Sequence, residues 1–119
     1  MEQNERTIKN SKNPDSRSNK QPQNEQNRQQ TWEKLTIDYL KDLLFELDGI
    51  RDMLEVKDYS AIKFQAHRAK GTSSTYRLNS ISKNFAQLEI WAESQNPDAI
   101  NNTIKEIMRL VELELNRAI

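Results

Sequence analysis

The chain has 119 residues, 34% hydrophobic and 30% charged, with a mean hydropathy of −0.97. Eighteen Lys and Arg balance eighteen Asp and Glu, so the basic excess expected of a nucleic-acid binder is missing. The absence of cysteine excludes disulfides and thiolate metal sites. No apolar run approaches the roughly 20 residues of a membrane span, and the polar N-terminus does not read as a secretory leader, which makes a cytoplasmic protein the expectation.

Residues 1–30 are rich in Asn and Gln, contain Pro14 and Pro22, and offer only Met1 and Ile8 as sizeable apolar side chains. Such a stretch cannot bury enough apolar surface to offset its ordering entropy. It is expected to be a disordered polar tail ahead of a domain at 31–119. From Trp32 the pattern becomes helical: Leu40, Leu43, Leu44, Leu47, Ile50 and Leu54 recur at three and four residues, tracing one apolar face. Thr36 is expected to cap this helix with Asp38 in its first turn. Trp32 and Leu35 are expected to form a short lead-in helix before it, packed against the bundle.

Lys57-Asp58-Tyr59-Ser60 interrupts the period, and Asp58 or Ser60 can cap the next helix. That helix carries Ile62, Ala66, Ala69, Ser73 and Tyr76 on one stripe. A third carries Leu78, Ile81, Phe85, Leu88 and Ala92. Asn96-Pro97-Asp98 reads as an N-cap, a proline in the first turn and an acid facing the helix dipole. The last helix then buries Ile100, Ile104, Ile107, Met108, Val111 and Leu115. Strand alternation and hairpin turns are lacking. The predicted fold is all-α: an up-down-up-down antiparallel four-helix bundle with a short N-terminal lead-in helix.

His67 is the single histidine, and it lies about 140° from the apolar stripe of its helix at 100° per residue. Ser60, Phe64, Gly71 and Ser74 share its face; Lys63 and Lys70 border one edge and Arg68 the other. Gly71 costs about 1 kcal/mol relative to alanine in a helix, and it removes a side chain one turn from the histidine. Phe64 either adds an apolar docking point beside that gap or packs against a neighbouring helix. A neutral imidazole is a nucleophile, and a nearby lysine stabilises phosphoryl oxygens.

Ala66-His67-Arg68-Ala69-Lys70-Gly71-Thr72-Ser73-Ser74 resembles the signature of histidine-phosphotransfer (HPt) domains, in which lysine and glycine follow the histidine at three and four residues. Leu88-Glu89 within Ala86–Ala92 looks like that family's next helix, and Lys57-Asp58-Tyr59 falls at its short helix connection. The resemblance covers roughly residues 34–117. Arg77 stands where such domains commonly have a glycine in the turn to the following helix. The resemblance implies that His67 accepts a phosphoryl group, Lys70 stabilises it and Gly71 keeps access open. Phe64, Lys63, Arg68 and Ser74 are then candidates for partner contact. It further implies no cofactor on this chain: the receiver domain of a response regulator or hybrid histidine kinase supplies the phosphorylatable aspartate and Mg²⁺.

Taken alone, His67 reads as an ordinary surface histidine; taken with Lys70, Gly71 and the small residues after them, it reads as a phosphoryl acceptor. Phe45, Gly49, Asp52 and Val56 share a second outward face, which extends the docking surface or covers the lead-in helix. Ile90 and Trp91 read as packing, and Met53 and Met108 as core filler. One histidine, no cysteine and no carboxylate cluster of calcium-loop spacing argue against a metal site. Two glycines cannot make a glycine-rich phosphate loop, so neither ATP binding nor kinase activity is expected. The alternative function is a four-helix adaptor that binds a receiver or histidine kinase without carrying phosphate. The initiating Met and the terminal helix make a free-standing shuttle the expectation, and the resemblance implies a monomer.

Overall fold

The computed structural model describes the backbone of residues 21–118 and the side chains of Arg28 and residues 30–118. Among these, four helices hold nearly every residue: α1 (Gln21–Glu55), α2 (Tyr59–Thr75), α3 (Asn79–Glu93) and α4 (Pro97–Ala118). The chain divides into two units, residues 1–35 and residues 36–119, and α1 runs through the boundary between them.

Two expectations about the N-terminal region need correction. The segment expected to be disordered through residue 30 is helical from Gln21, while residues 1–20 lie outside the described residues. Among the described residues there is no separate lead-in helix, because Trp32, Leu35 and Thr36 all lie inside the continuous α1; Thr36 is therefore not an N-cap. The reason is helix cooperativity. Once the leucine-rich half of α1 is nucleated, each upstream residue adds a hydrogen bond without a new nucleation cost. Gln, Glu, Arg, Lys and Leu are all good helix formers. Pro22 sits in the first turn, where its missing N–H does no harm.

The second unit is the antiparallel four-helix bundle. Its core draws Leu40, Leu43, Leu47 and Ile50 from α1, Ile62, Ala66 and Ala69 from α2, Ile81, Phe85, Leu88 and Ala92 from α3, and Ile100, Ile104, Ile107 and Val111 from α4, all buried. The three- and four-residue period is thus what converges these stripes on one interior. Leu44, Met53, Leu54, Trp91, Met108 and Leu115 pack partly buried around it. Ile90 departs from the packing role expected of it, being 56% exposed.

The three interhelical turns share one construction. Lys57, Arg77 and Gln95 have φ of 59°, 62° and 53°, each following the last residues of a helix. After α2, the Arg77 N–H donates to the Ser74 carbonyl and the Leu78 N–H to the Ser73 carbonyl, both at 2.9 Å. Equivalent pairs close α1 and α3. These are Schellman caps, whose left-handed residue is ordinarily glycine. Arg77 therefore adopts a left-handed backbone usually left to glycine, at a steric cost. The starts of two helices are capped as anticipated: Asp58 Oδ1 accepts from the Ala61 N–H and Asn96 Oδ1 from the Ala99 N–H, each at 3.1 Å.

Polar contacts also fix α2 against its neighbours. The Ser82 hydroxyl on α3 donates to the Lys70 carbonyl at 2.9 Å. The Tyr39 hydroxyl on α1 lies 3.0 Å from the fully buried Ser73 hydroxyl, and its ring stacks on Tyr76 with centroids 4.7 Å apart.

Candidate functional site

His67 lies in the middle of α2, on the face turned away from Ile62, Ala66 and Ala69, and its side chain is 66% exposed. Because the buried stripe fixes the rotation of α2, the outward direction of His67 follows from the placement of those apolar residues. The ring is nevertheless held. Its Nδ1 lies 3.0 Å from Glu89 Oε2 on α3, while Lys70 Nζ lies 3.1 Å from the other oxygen, Oε1. One carboxylate therefore spans the histidine and the lysine that stands one turn beyond it.

Glu89 is only 21% exposed in its side chain. Burial pushes its carboxyl pKa upward, but the hydrogen bonds from Lys70 and His67 outweigh that and leave it below the usual carboxylate value. An ionised carboxylate can only accept hydrogen bonds. The Glu89 contact therefore places the proton of a neutral His67 ring on Nδ1 and leaves the lone pair on Nε2. That is a nucleophile with a fixed tautomer, oriented by a carboxylate on the adjoining helix.

Around the ring, Ser60, Lys63, Phe64, His67 and Glu89 line an open cavity of about 360 Å³. A neighbouring groove of about 430 Å³ is lined by Lys63, Glu89, Ile90, Glu93 and Ser94. Phe64 is 63% exposed and Ile90 56%; each lines one of these cavities as an exposed apolar side chain. Phe64 thus points outward and is not packed against a neighbouring helix. Gly71 is exposed, and a Cβ built there would meet no atom within 4 Å, so the space beside His67 is open.

The other sequence candidates separate. Lys63 forms an ion pair with Glu93, so it is a tethered cation at the edge of the cavity. The Arg68 guanidinium lies 5.7 Å from the centroid of the Phe64 ring, within cation–π range, and donates to Gln65 Oε1 at 3.2 Å. Ser74 is exposed two turns beyond His67 and does not line the cavity at the ring. On the second outward face, Phe45 and Val56 are 77% and 75% exposed. Among the described residues no group of three or more His, Asp or Glu is placed to hold a metal ion, and no helix is long and apolar enough to cross a membrane.

Sequence reasoning missed Glu89 as a site residue, along with the surface position of Ile90. The pairing is invisible in a linear pattern because it joins residues on different helices. The register of the α2–α3 turn makes it: Lys63–Glu93 and His67–Glu89 are successive rungs leading away from Arg77. The available signal was that Glu89 directly follows the buried Leu88, at the edge of the apolar stripe. Compared with family models, curated proteins and solved structures, the chain finds no match in any of the three.

Proposed function

We propose that this chain is a histidine-phosphotransfer protein that accepts a phosphoryl group on His67 and passes it between receiver-domain aspartates in a two-component phosphorelay. The observation that carries the reading is an exposed imidazole whose Nδ1 is held by Glu89, with Lys70 one turn away and an open Gly71 beside it. In the transfer, the Nε2 lone pair attacks the phosphorus of a receiver's aspartyl phosphate. The N–P bond forms as the P–O bond to the aspartate breaks, and the carboxylate leaves with its electron pair. The Nδ1 proton stays facing Glu89. Lys70 supplies positive charge to the phosphoryl oxygens, and the absent side chain at Gly71 admits the receiver's backbone. Phosphoryl transfer is governed mainly by positioning and electrostatics; in this reading the receiver brings Mg²⁺.

The test is incubation with a panel of phosphorylated receiver domains, followed by measurement of phosphate on this chain. Acid-labile, base-stable phosphate that disappears in His67→Gln supports the reading. A second reading, a four-helix adaptor for a receiver or histidine kinase, draws on the exposed Phe64 and Ile90, which serve docking whether or not phosphate moves. Receiver binding without any transfer would favour it.

A further inference from the structure

Glu89 does more than orient a ring, because its two oxygens are committed to two different side chains, His67 and Lys70. We propose that Glu89 sets how readily His67 gives up its phosphoryl group: the carboxylate keeps the ring proton on Nδ1 and competes with the phosphoryl oxygens for Lys70. This rests on the phosphotransfer reading and specifies its regulation.

The chemistry follows from the contacts. When Nε2 bonds to phosphorus and Nδ1 keeps its hydrogen, the ring is a cation. Glu89 Oε2, 3.0 Å from Nδ1, stabilises that cation. When the N–P bond breaks towards a receiver aspartate or water, the electron pair returns to Nε2 and the ring leaves as neutral imidazole. Had the ring lost its Nδ1 proton, it would have to leave as an imidazolate, a far poorer leaving group. The same carboxylate holds Lys70 Nζ at 3.1 Å, so Lys70 can serve the phosphoryl oxygens only by weakening its pair with Glu89.

The surrounding charges reinforce this. Lys63 is paired with Glu93 and Lys70 with Glu89, so the rim is balanced before phosphate arrives. A phosphoryl group adds about two negative charges with no unpaired cation in those two bridges to absorb them. Lys70, shared between two acceptors, cannot neutralise both. Phosphorylated His67 is thereby a ready donor and a poor store. The effect is that of a partly solvated ion pair, for which a change of about fivefold in rate is expected.

Glu89→Gln isolates the charge from the hydrogen bond, since the amide oxygen still accepts from Nδ1–H while Lys70 is released. The full-length chain and the variant are phosphorylated with phosphoramidate, a small donor that needs no receiver, and the phosphohistidine signal is followed by ³¹P NMR. The expected result is attachment at Nε2 in both, with a lifetime about fivefold longer in Glu89→Gln and a matching slowing of transfer to a receiver. Equal or shorter lifetime in the variant overturns the role of Glu89 while leaving His67 as the acceptor. If neither phosphoramidate nor any phosphorylated receiver loads the unaltered chain, the phosphotransfer reading itself fails, and this one with it.

Discussion

Replacing Gly71 should move stability and function in opposite directions. The residue lies inside α2, without the positive φ that would reserve the position for glycine, and a Cβ there meets nothing within 4 Å. Gly71→Ala therefore carries only the gain in helix propensity and the loss of unfolded-state freedom, about 0.5–1 kcal/mol. For a domain of this size that raises the melting temperature by about 2–8 °C, readable by circular dichroism. Gly71→Gln should also keep or raise the melting temperature, since glutamine is a good helix former. Its side chain, however, would occupy the space through which, in the proposed relay, a receiver would reach His67. Transfer from a phosphorylated receiver should slow by about tenfold or more, equivalent to about 1.4 kcal/mol of docking energy. A Gly71→Gln variant that transfers at the unaltered rate would show that the docking face is on another side of α2. A fall in melting temperature would show instead that the glycine is structurally required.

Lys70→Ala should slow loading of His67 from a phosphorylated receiver by about tenfold through lost charge stabilisation, while receiver affinity, measured by calorimetry, stays within about twofold. Arg77→Gly should stabilise the bundle by about 0.5–1 kcal/mol, because relief of the left-handed backbone exceeds glycine's entropic cost; a loss of stability in urea titration would contradict the strained cap. Tyr39→Phe should cost about 1 kcal/mol by removing the partner of the buried Ser73 hydroxyl. Burial pushes the Tyr39 phenol from 10.0 up to about 12. That contribution to stability is complete below the ordinary phenol value and is lost as pH rises towards about 12, and this part of the alkaline loss should vanish in Tyr39→Phe.

Much of the bundle was legible because burial and helix period are the same signal. Leu43, Ile62, Phe85 and Ile104 are fully buried on the stripes that spacing defines, and Asp58 and Asn96 cap where local chemistry puts them. The start of α1 was not legible. Composition argued for disorder and Thr36 offered a plausible cap, but neither weighs the low cost of extending a helix that is already nucleated. In the candidate site, His67, Lys70 and Gly71 share one helix, so their relation could be read from spacing. Glu89 could not be, since its distance to His67 is set by the α2–α3 register. That register depends on a turn in which Arg77 takes a conformation usually left to glycine. Ile90 was misjudged because its neighbour Trp91 does pack against the core, and one residue of rotation separates inside from outside.

The central claim is that His67 carries a phosphoryl group, and the most direct measurement is of phosphate on that side chain. The chain is incubated with phosphorylated receiver domains, digested at alkaline pH, and its peptides are examined by mass spectrometry. Phosphate is expected on the peptide containing His67, stable in base and lost in acid, and absent from His67→Gln, whose melting temperature stays nearly unchanged because the side chain is exposed. Phosphate on another residue, or its persistence in His67→Gln, would contradict the account.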